Sequence, residues 1–515
     1  MLNRRNFIKN TGLFGLLGGM MPSLLSGNDG SGFSDYKALV VVYLNGGNDG
    51  VNTFVPIGSG NDEYGYNAYL KAREAIAVEN VDLGSKLKSA MNSEGYLELG
   101  KRSQNPYYRV DNALTNYQTG FYAHDKGYDK NKNPLNLNFG NKIGTHGFMP
   151  ELANMVNQGN VAVVQNVGNL IEPTTRKGIM DSSANLPPFL MAHDHQSNMA
   201  FNGNAHQISD FGLFGKLYDI WSKVDVNDVY GMNQALYQNC HMMYGMNTHP
   251  LILGSGGISY FEAPNYDYTD YYNLMSTYSR DDKFQNYYNK IHKHAFDVSV
   301  EVNQEWRNYN SIFSGLTDSY GAQLDQKTSD DDVAIAHGGI GRWDPTFLSA
   351  AKLIKIGSDK GLKRQIIYIR LSSFDTHGQQ RKYHGMYLRA LSSSLGKFQK
   401  VIDESGLSDN VTLFPVSDFG RSVGANSDGT DHAWGSHLFV MGGSVKGGLY
   451  GDRPSLKLAG DDDMSNKGRL IPKISMAQYY STILKWFGVD ETVRETILPD
   501  LKNFDKSKWD LGFMS

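Results

Sequence analysis

The 515-residue chain carries 49 Lys+Arg against 53 Asp+Glu, a formal charge of −4, with no basic run or stripe. Nucleic acid and anionic membrane surfaces are thereby excluded as general partners, because phosphate contact is made with Lys and Arg. Hydrophobic residues at 40% suffice for a large core and exclude disorder as the dominant state, while 56 glycines, against roughly 36 at the usual frequency, point to long ordered loops.

The chain opens on Arg4-Arg5-Asn6-Phe7-Ile8-Lys9, a basic stretch with paired arginines, followed by the mildly apolar residues 12–25. That stretch is shorter than the ~20 residues a bilayer span needs. Residues 1–34 read as a twin-arginine export signal and linker, which implies the twin-arginine machinery as a partner and a periplasmic or otherwise exported location. No clean A-x-A site precedes Ser26-Gly27, and an uncleaved signal would leave a membrane tether. No later run approaches 18 apolar residues, so no integral membrane segment is expected beyond the signal.

Residues 35–515 read as one α/β domain. Four short runs, 38–44 (ALVVVYL), 161–167 (VAVVQNV), 365–371 (QIIYIRL) and 411–416 (VTLFPV), are continuously apolar or β-branched, the pattern of strands buried on both faces in a parallel sheet. Helices alternate with them. A helix over 149–156 leads into the second strand; Leu391, Leu395, Phe398 and Ile402 form one apolar face between 381 and 404; Met476, Tyr480, Ile483 and Phe487 repeat it, closed by Gly488. The expected fold is a large, mostly parallel sheet sandwiched by helices. Between about 210 and 343 the chain turns Tyr-, Asn- and Asp-rich, with Tyr266, Tyr268, Tyr271 and Tyr272 clustered, and reads as a largely helical insertion. Cys240, the single cysteine, excludes a disulfide framework and any Cys-based zinc site, so a metal must be held by His, Asp or Glu. The segment 460–468 (GDDDMSNKG) reads as an exposed loop.

Three strands run directly into acidic, Gly-bearing turns: Gly46-Gly47-Asn48-Asp49-Gly50, Ser373-Phe374-Asp375-Thr376-His377-Gly378 and Ser417-Asp418-Phe419-Gly420-Arg421. Ligands of open α/β sheets bind outside the carboxyl ends of the strands, so these turns are expected on one rim. One such Asp alone is usually a turn former or helix N-cap; three, one accompanied by His, point to a site. His432 and His437, with Asp431 beside the first, add nitrogen ligands, and the mixed set suits a divalent cation. Gly420-Arg421-Ser422-Val423-Gly424 also matches the G-x-S-x-G elbow of serine hydrolases, but a loop follows it where the elbow needs a helix. Gly254-Ser255-Gly256-Gly257 and His337-Gly338-Gly339-Ile340-Gly341 lack the context of phosphate or dinucleotide loops and read as flexible turns.

GGNDGVNTFVP, VAVVQNVGNLIEPTTR, FDTHGQQ, SDFGR and TDHAWGSHLFVMGGSVKGGLYG together resemble the DUF1501 family of exported bacterial proteins, from about Lys37 to Gly488. That family looks like a branch of the alkaline phosphatase and sulfatase superfamily, which has two metals at its strand ends. The resemblance implies Asp49 as the first-strand metal ligand, Asp375 and His377 on one metal, Asp418 on the other, and His437 or His432 as the late histidine. It implies a hydrolase of phosphate or sulfate esters of small molecules or glycans, using zinc, manganese, magnesium or calcium. Two departures point instead to a catalytically reduced binding or assembly protein of the cell envelope: Phe419 stands where phosphatases carry His after the late Asp, and Ala192 where the family usually has Ser. Thr174, Thr175 and Ser197 are candidate replacements for the missing hydroxyl. His193 and His195, in the same family stretch, are candidates to protonate a leaving group.

Overall fold

The computed structural model describes residues 32–57, 63–93, 95–99, 120–124, 127–128, 134–135, 142–225, 228–238, 240–254, 256–258, 273, 282–324 and 341–515. Residues 1–31, which carry the stretch read as an export signal, Tyr266, Tyr268, Tyr271, Tyr272 and the glycines at 338–339 lie outside the described residues. In chain order the principal elements are β1 (Lys37–Leu44), α1 (Pro150–Asn157), β2 (Val161–Gly168), α2 (His193–Asn202), β3 (Asn233–Leu236), β4 (Leu251–Leu253), α3 (Lys283–Asn308), α4 (Asp344–Lys360) and β5 (Arg364–Leu371). There follow α5 (Gln380–Glu404), β6 (Val411–Ser417), β7 (Arg421–Ala425), β8 (Thr430–His432), β9 (Ser436–Gly442), β10 (Gly448–Tyr450), β11 (Ile474–Ser475) and α6 (Met476–Phe487).

The main sheet has nine strands in the order β10-β2-β9-β6-β1-β5-β3-β4, with β11 also paired to β2. Neighbours are parallel except β9, which runs antiparallel to both β6 and β2. The four apolar runs are therefore strands of one mostly parallel sheet. Side chains alternate across β1: Leu39, Val41 and Tyr43 enter one core with Tyr479, Tyr480 and Ile483 of α6, while Val40, Val42 and Leu44 enter the other with Phe347 of α4 and Leu391, Leu395 and Phe398 of α5. Helices thus cover both faces, as strands apolar on both sides require.

Two local readings change. The segment 210–343 supplies the long helix α3 but also β3 and β4, which extend the sheet beyond β5. β3 reads Asn-Gln-Ala-Leu; Asn233 donates to the carbonyls of Phe214 and Met243, so a polar strand is buried with its amide N–H groups bonded and escapes a search for apolar runs. The 460–468 loop is not simply exposed: Asp463 is 1% exposed and accepts from the N–H groups of Ala459, Ser465, Gly468 and Arg469. Four backbone donors are what allow a carboxylate to leave water there.

Leu395 is fully buried between α5 and the sheet. Leu395→Ala is expected to lower stability by about 2–5 kcal/mol through lost burial and a residual cavity. Replacing exposed Tyr287 by Ser should stay within about 0.5 kcal/mol. Urea midpoints of the two variants check the contrast.

Candidate functional site

The register places Leu44, Leu371 and Ser417 side by side at the carboxyl ends of β1, β5 and β6, so the three acidic turns leave the sheet on one rim. β2 ends on that rim too, and the chain following it reaches α2, whose first residue is His193. The β7–β8 hairpin folds back from β6 and sets His432 opposite Arg421. Close contact between turns needs glycine at one point: Gly46 has φ +116°, and a Cβ there would lie 2.5 Å from the Asp375 nitrogen. Its N–H donates to Asp418 Oδ1 at 3.2 Å.

His193, Asp375 and His432 converge, each offering a ligand atom within 4.8 Å of the others. Their hydrogen bonds fix which atoms face inward. His432 Nδ1 lies 2.9 Å from the Met191 carbonyl, which can only accept, so Nδ1 carries the proton and Nε2 presents a lone pair 3.1 Å from Asp375 Oδ1. His193 Nδ1 donates to Asp418 Oδ2 at 2.5 Å, leaving Nε2 at 3.5 Å from Asp375 Oδ2. Burial pushes the His432 pKa down, whereas the Asp418 hydrogen bond raises that of His193. Burial opposes ionisation of Asp375, but the Arg421 guanidinium on Oδ1 outweighs it and holds the carboxyl below the ordinary range. Two imidazole lone pairs and a carboxylate aimed at one point repel unless a cation or proton lies between them. Each imidazole is also oriented by a hydrogen bond on its far nitrogen, the usual outer arrangement of metal-binding histidine. The donors therefore fit one divalent ion, with His193, His432 and Asp375 holding it.

The remaining expected ligands lie elsewhere or in the surrounding layer. Asp418 acts through His193. His377 Nδ1 is 3.0 Å from Asp375 Oδ1 and its side chain is 47% exposed, at the open edge of the group. Asp49 is not in the group: it is fully buried, caps the short helix Gly50–Thr53 through the N–H groups of Val51 and Asn52, and is gripped by both terminal nitrogens of Arg73 at 2.7 and 2.8 Å. Burial works against its charge, yet Arg73 keeps its pKa low. His437 is likewise buried, its Nδ1 accepting from the Asn166 N–H at 3.1 Å. His195, expected as a proton donor, packs its ring 4.2 Å from that of Phe189. The candidate hydroxyls are engaged: Thr174 donates to the Glu172 carbonyl, Thr175 caps Gly178 and Ser197 donates to the Asp194 carbonyl. Ser422 lies within β7 and donates to the Gly424 carbonyl, so the elbow motif forms no strand–turn–helix.

Sequence reasoning missed the cations and amides behind the site. Arg421 donates to Asp375 and, through Nε, to Thr430 Oγ1 at 3.1 Å; Thr430 donates to Gln380 Oε1 at 2.6 Å; Gln380 donates to Asp49 Oδ2 at 2.5 Å. A continuous polar chain thus joins Asp375 to the Asp49–Arg73 pair. Arg421 sits inside the SDFGR motif and Gln380 inside FDTHGQQ, so their positions were visible although their partners were not. Met191 gave no signal: it adopts φ +69°, unusual for a long side chain, and thereby offers its carbonyl to His432.

Arg73→Met should cost about 3–5 kcal/mol, because Asp49 is left charged and buried, and adding Asp49→Asn should restore most of that loss. Denaturation of both variants checks the pair. Burial also pushes three buried histidines down, His146 and His437 to about 3 and His384 to about 4. The unfolded chain takes up these protons near pH 6.5 while the folded chain does not, so stability is full above that pH and is lost as pH falls toward 4. His384→Gln is expected to flatten the fall in unfolding midpoint between pH 6.5 and 5.

The family model described as "Protein of unknown function (DUF1501)" matches residues 351–493. Among solved structures, the chain is similar to Ps i-CgsB, at 12% identity over 69% of this chain and 71% of that one, with a TM-score of 0.31. It is also similar to the phosphonate monoester hydrolase SpPMH from Silicibacter pomeroyi, at 10% identity over 66% and 69%, TM-score 0.27. A third is the PsFucS1 sulfatase from Pseudoalteromonas sp., at 11% over 71% and 66%, TM-score 0.28. No curated protein matches the chain. The resemblance carried by FDTHGQQ, SDFGR and TDHAWGSH is borne out where those motifs lie: residues 351–493, which supply Asp375, Asp418, Arg421 and His432, match the DUF1501 model.

Proposed function

We propose that the chain is an exported, metal-dependent hydrolase of phosphate or sulfate esters, on small molecules or glycans, with one divalent ion held by His193, His432 and Asp375. The observation that carries this reading is the convergence of two Nε2 lone pairs and a carboxylate, each imidazole tied at its far nitrogen. Two nitrogens and one oxygen favour zinc or manganese over the all-oxygen preference of magnesium and calcium. When bound, the ion supplies Lewis-acid chemistry to an ester oxygen. The protein's own groups do the rest. Asp418 keeps the His193 proton on Nδ1, Arg421 anchors Asp375 Oδ1, and the Phe419 ring, 4.8 Å from His193 and 4.6 Å from His432, excludes water from one side. His377, half-exposed and held by Asp375, is placed to pass a proton between solvent and a leaving group. Export rests on the paired arginines near the N-terminus.

A second reading, a metal-holding binding or assembly protein of the envelope, is favoured by Ala192 and by the engagement of Thr174, Thr175 and Ser197 in other hydrogen bonds. Metal analysis of protein purified after native export, followed by phosphomonoester, phosphodiester and sulfate-ester assays, separates the two. One bound divalent ion per chain is expected, lost in Asp375→Asn and His432→Gln and retained in the Arg73→Met/Asp49→Asn pair, with turnover following the metal. Metal without Asp375-dependent turnover would establish the second reading; absence of metal from the exported protein sinks both.

A further inference from the structure

His146 closes the short strand Lys142–His146, and His384 lies in the second turn of α5. They are 6% and 2% exposed, and burial keeps both rings neutral, with pKa values pushed down to about 3 and about 4. A neutral imidazole carries one proton, so the partner of one nitrogen decides what the other presents. The Phe148 N–H donates to His146 Nδ1 at 3.1 Å, which puts the His146 proton on Nε2. His384 Nε2 lies 3.0 Å from Asn48 Oδ1. The Asn48 amide is itself fixed: Thr53 Oγ1 donates to the Asp49 carbonyl and accepts from Asn48 Nδ2, so Oδ1 is the atom turned to the histidine. An amide oxygen only accepts. The His384 proton is therefore on Nε2, and its Nδ1 presents a lone pair.

Among the described residues neither His146 Nε2 nor His384 Nδ1 has a partner. Both residues line one small cavity, with Asn52, Gln380 and residues 76–78. Its volume is about 10 Å³, enough for one water and too little for a larger guest. The two ring centroids are 6.5 Å apart, with their planes at 81°. A direct N–H to N bond would bring them within about 5.2 Å. A water about 2.85 Å from each nitrogen would lie about 4.0 Å from each centroid, and a tetrahedral angle at that water sets the centroids about 6.5 Å apart. The observed spacing is that of a bridged pair. The chemistry selects the bridge, because the Nε2 proton repels a cation and the Nδ1 lone pair repels an anion. A buried donor and a buried acceptor are costly to leave unmet, and one water answers both.

We infer that this cavity binds one ordered water, which accepts from His146 Nε2–H and donates to His384 Nδ1. The water is the inner end of a hydrogen-bonded run to the rim. His384 holds the Asn48 side chain, the Asn48 N–H donates to Ser417 Oγ at 2.9 Å, and Ser417 donates to the Leu44 carbonyl at 2.6 Å. It thereby ties the three-stranded sheet that carries His146 to the carboxyl ends of β1 and β6. The water site is independent of any metal at the rim and of any reaction there.

A crystal structure of the full chain, at a resolution that orders buried waters, tests it. One water peak should lie about 2.7–3.1 Å from both nitrogens. His384→Phe keeps an aromatic ring but removes the acceptor, and should lose that peak, whereas Asp375→Asn should keep it. His146→Phe gives the same readout from the donor side should His384→Phe fail to fold. In solution, NMR of protein labelled with 15N-histidine should find the proton on Nε2 in both residues. An empty cavity, rings in direct contact, an ion revealed by its anomalous scattering, or a proton on His384 Nδ1 would each overturn the inference.

Discussion

Arg421 carries a full charge on a side chain with no solvent exposure, and the rim of the sheet is arranged to satisfy it. A guanidinium removed from water needs anions and acceptors around its whole edge. Asp375 supplies the anion, and Thr430, through its hydroxyl and its carbonyl, supplies acceptors. Because Arg421 occupies one oxygen of Asp375, the other is left toward His193, and the hairpin carrying Arg421 must place His432 opposite it. The three donors of the candidate centre are thus positioned by one buried cation. Thr430 and Gln380 extend the same constraint to Asp49, whose own cation is Arg73. Each acidic turn therefore has its partner: Arg73 on the first, Arg421 on the second and His193 on the third.

The fold was legible because burial on both faces leaves little freedom in composition. β1, β2, β5 and β6 all read as uninterrupted apolar runs, and helix periodicity gave α5 and α6 nearly residue for residue. β3 was hidden because its polar side chains look unfit for a buried strand, although their amide N–H groups are bonded to carbonyls of the flanking turns and helix. The candidate site was half legible. Acid-bearing turns after parallel strands located the rim and supplied Asp375, Asp418 and His377, and the later Asp431-His432 pair supplied His432. The same pattern could not distinguish Asp49 from them, since an Asp capping a short helix and an Asp facing a cation look alike in sequence. Only the position of Arg73, on a helix 24 residues later, separates the two. His193 was singled out for proton transfer, and its place beside Asp375 follows from the return of the chain after β2, which no local spacing reveals.

The two ends of α5 have different chemistry. At its start the side chains belong to a network of strong, short, charge-assisted hydrogen bonds that leaves its members little freedom. Further along, Arg389 pairs with Glu151 and Lys397 with Asp318 and Asp344, while Asp403 is held by the neutral donors Gln399 and Ser408. The first arrangement suits a small, highly charged guest.

β1 lies at the centre of the sheet, yet its partners come late: Ser417 Oγ bonds to the Leu44 carbonyl across 373 residues of chain. During synthesis at about 5–20 residues per second, β1 waits about 20–75 s for that partner, apolar on both faces and with both edges open. A strand in that condition is a template for pairing with other chains. The long-range closure that assembles the rim is also slow, because its loop entropy is spent before any contact repays it. The nascent N-terminal region is therefore the stretch most dependent on chaperone cover, and the candidate site is among the last parts of the molecule to come into being.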